Sequence, residues 1–208
     1  MEEFIDILDE QGRPTGNKDL RKNIHLNGAW HKTLHIFLFK HSKNKKSFDM
    51  LFQLRSKNKD IFPLKLAVTV GGHISAGETT AEAFRESQEE IGLNLVPQDC
   101  SYLGQFKQII NYKDIIDKEI HETYIHEFKH NISILKPDPQ EVAGLFWINY
   151  EHLENLKKED FEVIYSNGII FDCNSWEKVE QYFSLDDFDA TAFEYYLNIG
   201  KIIKEKFL

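Results

Sequence analysis

The sequence predicts one α+β domain with a helical C-terminal extension, and three observations carry that reading. Two successive segments, Thr33 to Phe39 and Phe48 to Arg55, repeat with the two-residue period of paired strands. A β-branched run, Leu66-Ala67-Val68-Thr69-Val70, stops at Gly71-Gly72 and is followed by a helical stretch from Thr79 to Ile91. Near the end, Ala192, Tyr196, Ile199 and Ile203 form an apolar stripe at helical spacing.

The elements follow in chain order. Phe4 to Leu8 is a short apolar run, and the turn formers from Asp9 to Gly16 give it a hairpin-like entry. Both faces of Thr33 to Phe39 are apolar, as in a central strand. After a polar turn from His41 to Ser47, Phe48, Met50, Phe52 and Leu54 share one face of the partner strand. The Thr79 to Ile91 helix opens on a Thr79/Glu82 capping box and closes at Gly92. Its core stripe is Phe84, Ser87 and Ile91, with the Ser87 hydroxyl expected to bond back to the Ala83 carbonyl. Ser101 to Ile110, Glu119 to Phe128 and Gly144 to Asn149 read as further strands, and Tyr150 to Lys158 as a helix. Asn174-Ser175-Trp176-Glu177 resembles a helix start, so residues 166–208 are expected to be a helical extension packed on the main domain of residues 1–165. That extension is left with three roles: covering a cleft, forming a homodimer interface or completing the core.

A length of 208 residues fits one elaborated domain, and 41% apolar residues with sixteen Phe supply a sizeable core. The net charge of −9 argues against a nucleic-acid polymer as partner, because no basic surface is available to neutralise a phosphate backbone. An anionic substrate would need a cation. Cys100 and Cys173 are too few for a disulfide framework and are expected to be plain buried thiols in a reducing compartment. No basic apolar leader and no run of about 20 apolar residues is present, so the expectation is a soluble cytoplasmic protein that does not engage a membrane.

The chemistry concentrates on the helix after the two glycines. Glu86, Glu89 and Glu90 fall within about 100° of arc on one face, and Glu82 stacks one turn below Glu86. Like-charge pairs at i,i+4 each cost roughly 0.2–0.5 kcal/mol, so a solvated acidic face is a poor explanation for the stripe. A hard divalent cation, Mg²⁺ or Mn²⁺, turns that repulsion into binding, with Arg85 placed to orient Glu89. Gly71 and Gly72 let the backbone approach a ligand, and their amides are candidates to face phosphate oxygens.

This segment resembles the Nudix box, G-x5-E-x7-R-E-U-x-E-E-x-G-U with U a bulky aliphatic, through Gly72, Glu78, Arg85-Glu86, Glu89-Glu90, Gly92 and Leu93. It departs in two places: six residues rather than seven separate Glu78 from Arg85, and Ser87 replaces an aliphatic residue. From Phe4 to Leu156 the chain is similar to the Nudix branch holding isopentenyl-diphosphate isomerases and related hydrolases. The resemblance implies an αβα sandwich around a mixed sheet. It implies a metal-activated water attacking phosphorus in a small organic or nucleoside diphosphate, with Glu86, Glu89 and Glu90 as metal ligands. Glu89 would double as base, Arg85 would orient it, Glu78 would reach toward the metal, and Glu141 in Gln140-Glu141-Val142 is a second candidate base. Arg55 and Lys59 would contact the substrate's phosphates, and Glu119 and Glu122 would line the same cleft. His25, His31 and His73 match isomerase histidines that bind a second metal, but the isomerase Cys is Gly71 here, which can neither deliver nor remove a proton. An isomerase with an unusual acid, and a Nudix fold kept as a ligand-sensing module, are the alternatives.

Overall fold

A computed structural model describes residues 2–42 and 46–208. Lys43, Asn44 and Lys45, in the expected turn from His41 to Ser47, lie outside the described residues. Strands β1 (Phe4–Leu8) and β2 (Pro14–Leu20) form the entry hairpin. A short helix α1 (Arg21–Asn27) ends at Gly28, and β3 (Trp30–His41) and β4 (Phe48–Arg55) follow. Next come β5 (Leu66–Ala67), β6 (Val70–His73), α2 (Thr80–Ala83) and α3 (Arg85–Ile91). The chain continues through β7 (Ser101–Tyr112), β8 (Ile115–Glu127), β9 (Val142–Asn149) and α4 (Tyr150–Lys157). It finishes with β10 (Ile164–Asp172), β11 (Ser175–Phe183) and α5 (Phe193–Phe207).

β3 is the organising strand. It pairs antiparallel with β4 through Phe39 to His41 and with β6 through Thr33 to Ile36, and parallel with β8 over Trp30 to Phe39. On one face Leu34, Ile36 and Leu38 pack with Leu51, Ala83, Phe84 and Ile91, seating α2 and α3. On the other, Phe37 and Phe39 pack with Phe52, Phe146, Leu153, Tyr196, Ile199 and Ile203, seating α4 and α5. The result is a mixed sheet between two helical layers. Burying this apolar surface is the main stabilising contribution, at roughly 25 cal/mol per Å².

Three local expectations change. The single helix from Thr79 to Ile91 is two pieces meeting at Phe84, and the Ser87 hydroxyl donates to the Phe84 carbonyl (2.8 Å) rather than to Ala83. The same oxygen accepts from the Leu95 amide at 3.2 Å, so the polar residue on the core face bridges the break to the chain beyond Gly92. The helix start expected at Asn174 is instead a hairpin turn. Cys173 and Asn174 are both left-handed, with φ of 44° and 71°, which matches a two-residue turn between strands, and Asp172 pairs with Ser175 across it. The C-terminal extension is therefore a β-hairpin followed by one helix, and Cys173 is exposed rather than buried, while Cys100 is half-buried. Among the described residues no helix is long and apolar enough to cross a membrane.

Candidate active-site cleft

A cleft of about 920 Å³ opens where β6 meets α3 and runs inward over the β3–β8 face beneath the residues that lead into α5. Its outer wall is the acidic helix. Glu90 is buried because its Oε2 accepts from the Gly71 amide (3.0 Å) and from Gln53 Nε2 (3.1 Å), while Oε1 lies 3.7 Å from Lys59 Nζ. The Gly71 amide is thus spent on a carboxylate, so it does not stand free for phosphate. Gly72 gives Glu86 its place, since a Cβ there would sit 2.2 Å from the Glu86 carboxyl carbon. Arg85 Nη1 donates to Glu86 Oε1 (2.5 Å) and Glu89 Oε2 (2.9 Å), and its Nε donates to Glu78 Oε1 (2.8 Å).

Glu78 also accepts from the Ser75 amide (2.8 Å) and is absent from the cleft wall, so it anchors Arg85. Glu82 leaves the stripe too, closing the cap with Thr79. Three carboxylates remain at the cleft, and Glu86 Oε2 and Glu89 Oε1 keep no protein partner among the described residues. Burial, then the charge of Glu90, pushes the Glu86 carboxyl up to about 7. A pair of free carboxylate oxygens backed by like charges suits a hard divalent cation, so this donor set fits one.

Across the mouth, Lys59 Nζ pairs with Glu141 Oε2. This brings a residue of the β4–β5 connection to one 82 positions later. Arg55 lines the cleft while its Nε donates to the Ile61 carbonyl (2.9 Å).

The inner cleft collects histidines. His25 from α1, His31 from β3 and His73 from β6 cluster with ring centroids 5.1–5.4 Å apart, His31 and His73 stacked and His25 tilted against both. His31 Nε2 lies 3.3 Å from Asp117 Oδ1, and His73 Nε2 lies 3.9 Å from Glu119 Oε1. His31 Nε2 and Asp117 Oδ1 are buried without a hydrogen-bond partner, and with Glu119 they form a group that could hold a cation. Burial lowers His25 and His31 to about 4 and raises Asp117 to about 6, so the imidazoles are neutral and able to ligate.

Glu119 joins this group. Glu122 does not, because residues three apart on a strand face opposite ways. Glu122 instead accepts from Tyr102 (2.7 Å) and Gln105 (2.8 Å) and pairs with Lys32 (2.9 Å). Sequence reasoning missed Asp117, His35, His121, Gln53 and Asp189. The alternation of Asp117 and His121 about Glu119 along β8 was the available signal for two of them.

Known proteins resemble this chain in sequence and in fold. A family model described as the NUDIX domain matches residues 31–166. An uncharacterized Nudix hydrolase of Clostridium acetobutylicum is 32% identical over 196 residues, covering 94% of each chain. Nudix hydrolase 3 of Arabidopsis thaliana is 31% identical over 82% of this chain but only 23% of its own length. Isopentenyl-diphosphate Delta-isomerase 1 of Bos taurus is 30% identical over 75% of this chain and 73% of its own. Among solved structures, a MutT protein from Methanosarcina mazei superposes with a TM-score of 0.53 at 15% identity, over 84% of this chain and 96% of that one, which speaks to fold alone. The box that closes on Gly92, the sheet that carries it and these relatives agree, and the chain belongs to the Nudix family.

Proposed function

We propose that this protein hydrolyses a small organic or nucleoside diphosphate with the help of Mg²⁺ or Mn²⁺. The observation that carries the reading is the convergence of Glu86, Glu89 and Glu90 with Lys59, Arg55 and Glu141 on one cleft. Glu86 and Glu89 would hold the cation by their free oxygens, with Glu90 behind them fixing β6 to α3. When bound, the cation neutralises phosphate charge and lowers the pKa of a coordinated water. The chain's own residues do the rest. Arg85, gripped by Glu78, holds Glu86 and Glu89 in register. Lys59 and Arg55 meet the phosphates, and Glu141, released when Lys59 turns to the substrate, is placed to take a proton from the attacking water.

The test is mass spectrometry of nucleoside, sugar, isoprenoid and thiamine diphosphates incubated with Mg²⁺ and either the native protein or Glu89→Gln. Cleavage by the native protein alone is expected. Equal product from both proteins, or none from either, rejects the reading.

A second reading rests on the inner cleft: the His25, His31, His73, Asp117 and Glu119 group together with the isomerase relative supports isomerisation of an isopentenyl-type diphosphate. Gly71 at the thiol position weighs against it, and deuterium exchange into isopentenyl diphosphate decides it.

A further inference from the structure

We propose that His35, His121 and Glu119 form a second imidazole-carboxylate cation site deeper in the cleft, sharing Glu119 with the His25–His31–His73 group, and that residues 189–195 supply its outer shell. One donor atom from each of the three residues lies within 4.8 Å of the others. The His35 and His121 rings are stacked, with centroids 3.8 Å apart and planes 16° from parallel, so metal–nitrogen and metal–oxygen bonds of about 2.0–2.2 Å require one imidazole to turn out of the stack toward Glu119. Glu119 is built to be shared: Oε1 is 4.0 Å from His31 Nε2, and Oε2 is 3.7 Å from His121 Nδ1.

The hydrogen bonds around the two imidazoles fix which nitrogen of each is left for a ligand. Thr191 Oγ1 donates to Asp189 Oδ1 (2.6 Å), so it accepts from Gln108 Nε2 (3.1 Å). That orients the Gln108 amide with Oε1 toward His121 Nε2 (2.9 Å), which must carry the proton. The lone pair of His121 is therefore on Nδ1, the atom facing Glu119. A second chain reaches His35. With Thr123 donating to the His121 carbonyl (3.4 Å), the Tyr195 hydroxyl is free to donate to Thr123 (2.9 Å). Tyr195, its proton spent, accepts from His35 Nδ1 (3.2 Å). The His35 lone pair is left on Nε2, which has no protein partner among the described residues, on a side chain that lines the cleft.

Metal-binding histidines characteristically hand their other N–H to an outer partner in this way. One chain runs into the segment leading to α5, through Asp189 and Thr191, and the other into the first turn of α5 itself, through Tyr195. Burial lowers His35 to about 3 and His121 well below its usual value, keeping both rings neutral as a ligand requires. The Thr33 hydroxyl, 2.7 Å from His121 Nδ1, caps that lone pair and is the group a cation displaces. Two imidazoles and one carboxylate favour a borderline ion such as Zn²⁺ or Co²⁺ over Mg²⁺.

The experiment uses the full chain stripped with chelator, loaded with Co²⁺ and desalted, with retained metal counted by mass spectrometry and followed by its visible absorption. His35→Phe is expected to lose one equivalent relative to the native protein, and Glu82→Ala, which touches only the Thr79 cap, none. Tyr195→Phe, which removes only a hydroxyl from the core, is expected to weaken that equivalent by about 10–100-fold. Unchanged stoichiometry in a folded His35→Phe, or unchanged Co²⁺ affinity in Tyr195→Phe, overturns the proposal. Neither readout depends on turnover, so failure here is separate from failure of the hydrolase reading.

Discussion

Gly72→Ala separates the two jobs a glycine can do at a site. The new methyl would lie 2.2 Å from the Glu86 carboxyl carbon, 2.5 Å from its Cγ and 2.6 Å from its Oε2. To reach an ordinary 3.4 Å contact the carboxyl carbon has to retreat by about 1.2 Å. The strand itself accepts alanine, because Gly72 is not among the residues with positive φ. What moves is the end of a flexible side chain, and the gain from a less flexible unfolded chain is about 0.4–1 kcal/mol, so net stability should stay within about 1 kcal/mol of the native value. The cation site fares worse. Oxygen–metal bonds of about 2.0–2.1 Å do not survive a shift of that size in a ligand. A misplacement of about 1 Å in a reacting group costs on the order of 100-fold, or about 2.7 kcal/mol in transition-state binding. Urea unfolding read beside Mn²⁺ titration by electron paramagnetic resonance measures both quantities on one sample. Native Mn²⁺ affinity in Gly72→Ala would show that Glu86 is not a ligand and refute the reasoning. As a contrast, a Cβ at Gly168 would meet the Leu145 carbonyl oxygen at 2.2 Å, a backbone atom that cannot step aside, and Gly168→Ala should cost on the order of 3 kcal/mol in unfolding free energy.

Three other outcomes follow from the same geometry. Ser87→Ala removes the hydroxyl that bridges the Phe84 carbonyl and the Leu95 amide in a fully buried position, and chemical denaturation should show a loss of about 1–3 kcal/mol. Glu86 is raised from an unfolded value of 4.5 to about 7, so the folded, chelator-treated protein binds more protons than the unfolded chain between those limits. Its stability should therefore decline as pH rises from 4.5 to 7, by an amount on the order of 3 kcal/mol that Glu86→Gln abolishes; a flat profile in the native protein contradicts this. Glu82→Ala breaks the capping box and should lower the midpoint of thermal or urea unfolding while leaving divalent-cation affinity unchanged, since that carboxylate serves Thr79 and not the cleft.

How much of this was legible in the sequence depends on whether local pattern or tertiary partner decides. The pair Thr33 to Phe39 and Phe48 to Arg55 was legible because both strands are buried on two faces and apolar content alone declares them. The extension was misread at Asn174-Ser175-Trp176-Glu177 because Asn and Ser serve helix caps and hairpin turns equally. The pairing of Ile164 to Asp172 with Ser175 to Phe183 settled it in favour of a strand. At the site, the stripe of Glu86, Glu89 and Glu90 followed from a 100° rotation per residue, and although that arithmetic also kept Glu82, the capping-box pattern beside it assigned Glu82 to Thr79, where the structure has it.

The inner cleft lay further out of reach. Asp117, Glu119 and His121 alternate visibly, but their meaning comes from His25, His31 and His73, which reach them from three other elements. The apolar stripe of Ala192, Tyr196, Ile199 and Ile203 correctly announced a buried face on the last helix. It could not announce that Tyr195, one position off the stripe, turns its hydroxyl to His35 across 160 residues of chain. Two of the three roles open to the extension apply together: Phe193, Tyr196, Ile199 and Ile203 complete the core, while Asp189 and Ala192 line the cleft and Thr191 and Tyr195 bond toward the imidazoles that face it.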